Sequence, residues 1–198
     1  MSLIKNVRTL LTSPATMKDY VLYHASKLSR GRAEKCLHGV RLSSFINFSE
    51  FHTCNAVSHE ERRFLESYEF GEGVILDVGA NLGLVSLILA KKFPDRTIYP
   101  FEPNPSTFQA LESNLKLNGI NDVRCFELAI SEHNGQAQFN ADPRSRATNK
   151  ITKEKDEHHV SVPCRTLDSF LEQYKIEKVA LLKVDVEGHE QGIFEGAR

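Results

Sequence analysis

Two glycines and an acidic residue have the spacing of a nucleoside-binding turn. The segment Val74-Ile-Leu-Asp-Val-Gly-Ala-Asn-Leu-Gly83 is a short apolar run followed by glycines at positions 79 and 83. In a βαβ unit, such a turn brings backbone N–H groups and the N-terminus of the next helix to a ligand at the carboxyl ends of the strands. Glu102 follows about twenty residues beyond the turn, where a carboxylate accepts hydrogen bonds from the two hydroxyls of a ribose.

The positions between the glycines discriminate among nucleotides. A dinucleotide fingerprint, G-x-G-x-x-G, requires glycine where this chain has Asn81 and Leu84, and no Walker-type Lys-Ser or Lys-Thr pair follows the turn. S-adenosylmethionine carries a ribose, an adenine and an amino acid end without a phosphate, and it suits the pattern. Asp77 would accept a hydrogen bond from its ammonium group. The alternative is an ordinary strand-to-helix turn with a solvated Glu102.

A second group of polar residues, Asp185, Glu187, His189 and Glu190, follows an apolar run near the end of the chain. The carboxyl ends of parallel strands are where open α/β sheets place their active sites, which makes this group the catalytic candidate. His189 or Asp185 could remove a proton from a hydroxyl. His189 is equally compatible with a structural role at a helix start, and the two glutamates with stabilising that helix. A metal site is disfavoured because all four residues come from one short segment.

Alternating strand and helix patterns position both groups. Ser58-His-Glu-Glu61 is a capping box that begins a helix ending before Gly71. The predicted elements that follow are a strand Val74–Val78, a helix Leu82–Lys92, a strand Thr97–Phe101, a helix Ser106–Leu117, a strand Val123–Ile130, an antiparallel pair Gln136–Phe139 and Val160–Cys164, a helix Leu167–Tyr174, a strand Val179–Val186 and a helix Glu190–Ala197. The polar tract Asp142–His159 is predicted to be a mobile loop. The pattern is that of an α/β fold with a central parallel sheet flanked by helices.

Residues 1–57 form a predicted N-terminal extension, and residues 58–198 the main domain. Within the extension, Val7–Leu28 has loosely helical spacing, and Arg41–Phe51 suggests short strands. The extension is rich in Lys and Arg up to residue 35, which is compatible either with a segment packed on the domain or with an organelle transit segment.

The overall composition limits the class of protein. The chain has 198 residues, 40% hydrophobic content and a formal net charge of −1, so it can bury a core but has no global positive field for binding nucleic acid. Four separated cysteines without a CxxC pair favour a reducing compartment. We therefore expect a cytoplasmic protein without a membrane or nucleic-acid partner and without a bound metal.

Four motifs together resemble the FkbM-type S-adenosylmethionine-dependent methyltransferases. They are Leu76-Asp-Val-Gly-Ala-Asn-Leu-Gly83, Phe101-Glu-Pro-Asn-Pro105, Arg165-Thr-Leu-Asp168 and Lys183-Val-Asp-Val-Glu-Gly-His-Glu190. The resemblance covers about residues 58 to 198. It implies a Rossmann-like class I methyltransferase fold and methyl transfer to a hydroxyl group, typically of a sugar, polyketide or other small molecule.

The resemblance also implies roles for single residues. The methionine end of S-adenosylmethionine would be held by Asp77, Gly79, Asn81 and Gly83. Glu102 would hold the ribose, Leu128 and Ala129 would flank the adenine, and Asp185 would lie near the methyl group. The catalytic candidates are Asp185, Glu187 and His189. Asp168 matches a family motif, but we expect it to cap the helical residues Ser169–Tyr174, at a helix start where Thr166 is the other candidate cap.

The chain ends soon after its fourth predicted core strand, whereas the family's sheet has seven strands. We therefore expect a fold truncated after that strand, with an apolar sheet edge open to pairing with a second copy. The function that we expect is O-methylation of a small molecule or saccharide. A catalytically inactive nucleotide-binding or scaffolding fragment is one alternative. A nucleic-acid methyltransferase is another, although Asp185-Val-Glu-Gly is not the N-P-P-Y or D-P-P-Y loop of that class.

Overall fold

The computed structural model describes residues 13–54, 58–144, 146, 149–151 and 158–197. Its centre is a sheet with the strand order β4-β3-β9, formed by Ile98–Phe101 (β4), Val74–Val78 (β3) and Val179–Val184 (β9). Both neighbours run parallel to β3. Four of the five residues of β3 are buried, as expected for a parallel strand that is covered on both faces. The predicted α/β fold with a central parallel sheet is confirmed.

Helices cover both faces of this sheet. One face is covered by α4 (Leu84–Lys92) and α5 (Pro105–Leu117). The other face is covered by α6 (Leu167–Tyr174) and α7 (Glu190–Glu195). Successive residues of β3 alternate between the two cores, because strand side chains point to opposite faces in turn. Ile75 packs with α4 and α5, whereas Leu76 packs with α6 and α7. Asp77 follows this alternation and faces α4.

A side-chain cap fixes the start of α5 directly after β4. The Asn104 side chain accepts hydrogen bonds from the backbone N–H groups of Ser106 and Thr107, and Pro105 supplies the backbone angle of a first helical residue. The loop between Glu102 and Asn104 is therefore held at both ends, which fixes the position of Glu102.

The second sheet has the strand order β5-β8-β6-β7. Its strands are Ala129–Ile130 (β5), His159–Arg165 (β8), Gly135–Asn140 (β6) and Lys150–Ile151 (β7). The predicted antiparallel pair is confirmed as β6 and β8. The tract predicted to be a loop contains β7, which pairs with β6. Its residues 145, 147, 148 and 152–157 lie outside the described residues.

The predicted third strand, Val123–Ile130, is divided between the two sheets. Phe126 forms a single parallel bridge with Phe101 beside β4. The chain then leaves that sheet, and Ala129 and Ile130 pair with β8. The prediction of one continuous core strand is therefore wrong. The division places residues 127 and 128 between two sheets, at the edge where β3 and β9 also end.

The N-terminal segment packs against the α4 and α5 face. It comprises α1 (Pro14–Arg30), β1 (Lys35–Leu37), β2 (Val40–Leu42), α2 (Phe48–Thr53) and α3 (His59–Ser67). The buried Val40 and Leu42 belong to the same core as α4 and α5. The prediction of strands over Arg41–Phe51 is correct only for the end of β2. The Asn47 side chain instead accepts from the Glu50 N–H group and begins α2.

Of the helices in the described part of the chain, none has the length and apolar character needed to cross a membrane.

Candidate functional site

The glycine turn after β3 is built around Gly79, which has a φ of 75°. A Cβ atom at this position would overlap the carbonyl oxygen of Asp185, so no other residue fits without movement. The backbone N–H groups of Gly79 and Ala80 donate to the Phe101 carbonyl oxygen, at 3.0 and 2.9 Å. The prediction that these N–H groups face a ligand is therefore wrong. They join the turn to the end of β4.

Asn81 and Gly83 complete the turn in different ways. Asn81 has a φ of 50°, in the left-handed region that asparagine tolerates better than most residues, and it lines a pocket at the ends of the parallel strands. Gly83 has a φ of 86°, and a Cβ there would lie 2.5 Å from Leu111 Cδ1. Gly83 therefore lets α4 approach α5, and it lies outside the pocket lining.

Asp77 is fully buried and also lies outside the pocket lining. Its carboxylate accepts a hydrogen bond from the Ser86 hydroxyl at 2.5 Å and lies 3.0 Å from the Lys183 ammonium. The same ammonium donates to the carbonyl oxygen of Gly79 at 2.8 Å. Asp77 and Lys183 thus join β3, β9 and the turn, and a buried charge is tolerated because it is paired and hydrogen-bonded.

Glu102 lies at the end of β4 as predicted, lines the pocket and is only 6% exposed. Its two carboxylate oxygens accept from the N–H groups of Asn81 and Asn104, each at 3.0 Å. Burial raises the pKa of Glu102 to about 7, and the two backbone hydrogen bonds oppose part of this rise. The carboxylate is therefore costly to bury, and a partner in the pocket that donates hydrogen bonds would favour its charged form.

The pocket has an apolar wall and several polar atoms without a partner. The apolar part of the lining includes Leu128, Ala129, Ile130, Phe139 and Ile151. Within the described residues, four buried polar atoms of lining side chains lack a hydrogen-bond partner: the Thr107 hydroxyl oxygen, the Arg146 Nε atom and both amide atoms of Asn149. Unsatisfied buried groups are uncommon in proteins, and a polar ligand would supply partners for them.

The three catalytic candidates all line the pocket from the loop after β9. Asp185 is 67% exposed, with the Lys183 ammonium 3.9 Å away, and its N–H group donates to the Val78 carbonyl. Glu187 is exposed and has a φ of 52°. His189 is 18% exposed, and its Nε2 atom lies 2.9 Å from the Ser131 hydroxyl oxygen and 3.2 Å from a Glu132 carboxylate oxygen.

Sequence reasoning missed the two pocket residues Arg146 and Asn149. The Arg146 guanidinium contacts both carboxylate oxygens of Glu50 at 3.0 Å and the Ser44 carbonyl. The positive charge of Arg146 is therefore already paired with the carboxylate of Glu50. The Asn47 side chain also donates to the Arg144 carbonyl. These contacts tie the tract to the N-terminal segment, and they join residues about a hundred positions apart, so no local sequence signal could reveal them.

Metal coordination finds no support in the described side chains. No three of them among His, Cys, Asp and Glu converge as ligands.

The family comparison matches most of the parallel-sheet region. Residues 77–198 match the model of the methyltransferase FkbM domain. The matched region begins at Asp77 in β3 and includes Glu102, the second sheet and the loop after β9.

Several curated proteins are similar to this chain. Methyltransferase 1 of Beauveria bassiana is 27% identical over 63% of this chain and 58% of its own length. The hexuronic acid methyltransferase AglP of Haloferax volcanii is 31% identical over 68% of this chain and 54% of its own length. The 2-O-methyltransferase NoeI of Sinorhizobium fredii is 26% identical over 69% and 62%. The chain thus spans less than two thirds of these relatives. It belongs to the FkbM methyltransferase family.

Proposed function

We propose that this member of the FkbM methyltransferase family transfers a methyl group from S-adenosylmethionine to a hydroxyl group of a small molecule or saccharide. One observation carries the proposal. A buried carboxylate at the end of β4, Glu102, and the polar loop Asp185–His189 after β9 line the same pocket. The first is suited to a ribose, and the second supplies groups that can accept a proton from a hydroxyl.

The pocket's residues fit the parts of S-adenosylmethionine. Glu102 keeps lone pairs beyond its two backbone hydrogen bonds, and ribose hydroxyls would donate to them. The apolar wall that includes Leu128 and Ala129 suits the face of an adenine ring, and the unpaired Asn149 amide offers both a donor and an acceptor to the ring edge. The amino acid end would lie along the turn at Gly79 and Asn81. Asp77 supports that turn from beneath rather than contacting the ligand.

When bound, S-adenosylmethionine supplies an activated methyl group: the bond between the acceptor oxygen and the methyl carbon forms as the sulfur–carbon bond breaks, and the electron pair of the broken bond stays on sulfur. The acceptor hydroxyl loses its proton. The protein's task is then to align the acceptor oxygen with the methyl group and to receive the proton. His189 lines the pocket and is proposed as the base. Asp185 and Glu187 are proposed to orient the acceptor, since both are exposed at the pocket mouth.

The acceptor class rests on the relatives and on the pocket. AglP is named for a hexuronic acid and NoeI for a 2-O position, so hydroxylated sugars are the first acceptors to test. Exposed carboxylates at the mouth, Asp185 and Glu187, can accept hydrogen bonds from sugar hydroxyls.

Calorimetry tests the cofactor half of the proposal. We expect S-adenosylmethionine to bind the wild type and Glu102→Gln to weaken binding by about tenfold or more, the worth of a charge-assisted hydrogen bond. Glu127→Gln, which changes an exposed carboxylate in the adjacent segment, is the matched control and should leave the affinity unchanged. Binding of NAD without binding of S-adenosylmethionine would refute the assignment.

Methyl-transfer assays test the catalytic half. The chain is incubated with labelled S-adenosylmethionine and a panel of uronic acids, neutral sugars and hydroxylated small molecules. Transfer to a hydroxyl oxygen supports the proposal. Cofactor binding without transfer to any acceptor would favour the alternative, a nucleotide-binding protein without turnover.

A further inference from the structure

Ser131, Glu132 and His189 form a connected group at one side of the pocket. The Ser131 hydroxyl donates to a Glu132 carboxylate oxygen at 2.6 Å. His189 Nε2 lies 2.9 Å from the Ser131 hydroxyl oxygen and 3.2 Å from the same Glu132 oxygen. Ser131 is fully buried. Nothing in the sequence motifs pointed to Ser131 or Glu132, which lie 58 and 57 positions before His189 in the chain.

The backbone around this group is arranged to receive the imidazole ring. The Ser131 N–H group donates to the Arg165 carbonyl at 2.8 Å, which extends the β5–β8 pairing and fixes the serine. On the other side, α7 approaches through Gly192. A Cβ there would lie 2.7 Å from the ring atoms Cε1 and Nε2 of His189 and 2.8 Å from a Glu132 oxygen. A side chain at this position would therefore require the ring and the carboxylate to shift.

The hydrogen-bond pattern specifies where the ring carries its proton. The Ser131 hydroxyl lowers the pKa of Glu132 to about 2, so that carboxylate is ionised at neutral pH and can only accept hydrogen bonds. Because the Ser131 proton is donated to Glu132, the serine oxygen is also an acceptor toward His189. Both neighbours of Nε2 are acceptors, and Nε2 must therefore carry the proton. In the neutral ring, Nδ1 then has the free lone pair.

We infer that Ser131 and Glu132 are positioning residues that hold His189 as the Nε2–H tautomer, with Nδ1 free to take the proton of the acceptor hydroxyl. Among the described residues, none forms a hydrogen bond with His189 Nδ1. The inference rests on the proposed function, since it needs an acceptor hydroxyl in the pocket. As the ring gains a proton, the ionised Glu132 would stabilise the positive charge.

Other charged groups near the ring act differently. Glu190 follows His189 in the chain and interacts with it electrostatically, but it hydrogen-bonds the Gly188 N–H group rather than the ring. His133 lies beyond Glu132, with its Nδ1 atom 3.5 Å from the second Glu132 oxygen. Asp185 and Glu187 line the pocket in the same loop. Glu190→Gln is therefore a matched control, because it removes a nearby charge without touching the ring.

Nitrogen-15 NMR of the histidine side chains tests the tautomer without any need for turnover. The His189 signals are assigned by their loss in His189→Asn. We expect the wild type to show a protonated Nε2 and an unprotonated Nδ1. Glu132→Gln, a change at a half-exposed side chain that should leave folding intact, should give a mixture of tautomers. Glu190→Gln should match the wild type. A wild-type ring protonated on Nδ1 would overturn the inference.

Kinetics test whether Glu132 acts through His189. We expect Glu132→Gln to lower kcat by at least about tenfold, with the cofactor Kd changed less than about twofold. In the His189→Asn background, Glu132→Gln should cause no further loss, because residues that act as one unit are not additive. An equal loss in both backgrounds would overturn the inference. If the wild type methylates nothing, the proposed function fails, and the NMR result alone decides the inference.

Discussion

Replacing Glu102 by Gln should change how the free energy of unfolding depends on pH. In the folded chain, burial raises the pKa of Glu102 from 4.5 to about 7. The folded state therefore holds a proton more tightly than the unfolded state, and stability falls as pH rises from 4.5 to 7. At about 1.4 kcal/mol for each pKa unit, the wild type should lose about 2.5 kcal/mol from this residue between pH 5 and pH 8.

The variant lacks this titration but introduces a constant cost. Both Glu102 oxygens accept from backbone N–H groups, and a glutamine keeps only one acceptor, so one hydrogen bond worth about 1 kcal/mol is lost at every pH. We therefore expect Glu102→Gln to be less stable than the wild type at pH 5. By pH 8 the difference should have moved by about 2.5 kcal/mol in favour of the variant.

Urea unfolding at pH 5, 6.5 and 8 measures this difference directly. Glu127→Gln, at an exposed position, controls for the general effect of removing a carboxylate and should follow the wild type at every pH. A stability difference between wild type and Glu102→Gln that is the same at all three pH values would refute the argument. In that event Glu102 would not have a raised pKa in the folded chain.

Three further outcomes are expected. As the pH is raised toward 7, the affinity of the wild type for S-adenosylmethionine should increase by up to about tenfold per pH unit, because ribose hydroxyls favour the ionised form of Glu102. Calorimetry on Glu102→Gln should show little dependence of the affinity on pH. Gly79→Ala should lower the free energy of unfolding by more than about 3 kcal/mol in a urea titration, because the added Cβ would overlap backbone atoms. Gly39 has a similar φ but no neighbouring atoms at this point, so Gly39→Ala should lower it by only about 1 kcal/mol. Equal losses in the two variants would contradict this reasoning. Lys183→Met should cost about 3–5 kcal/mol by leaving the Asp77 carboxylate buried without its cation, and Asp77→Asn in that background should recover part of the loss.

The order of elements could be predicted from local patterns. Apolar periodicity and caps gave β3, α4, β4, α5 and α6 with boundaries close to those observed, since each element is specified by residues within it. The prediction of one strand over Val123–Ile130 was wrong because apolar residues indicate that a segment is buried but not with which sheet it pairs. Phe126 pairs with Phe101 beside β4, whereas Ala129 pairs with β8 in the second sheet.

Site residues were predictable in position and less so in environment. The spacing from the turn predicted Glu102 at the end of β4, but it did not predict the hydrogen bonds that its carboxylate accepts from the N–H groups of Asn81 and Asn104. Asp77 was expected to contact a ligand. Its actual partner, Lys183, is 106 positions away in the chain, and an ion pair of that separation leaves no pattern in a single sequence.

The place of β9 beside β3 has a consequence for synthesis on the ribosome. The Lys183 and Val78 that meet at this pairing are 105 positions apart. At about 5–20 residues per second, β3 and its turn leave the ribosome roughly 5–20 s before β9 can join them. During that interval β4 can pair with β3, but the opposite edge of β3 has unpaired N–H and C=O groups that other chains could bind. The strand β9 also brings the Lys183 ammonium to Asp77, so the glycine turn after β3 lacks this ion pair until β9 has been made. A ligand that needs the complete turn can therefore stabilise only a chain that already contains β9.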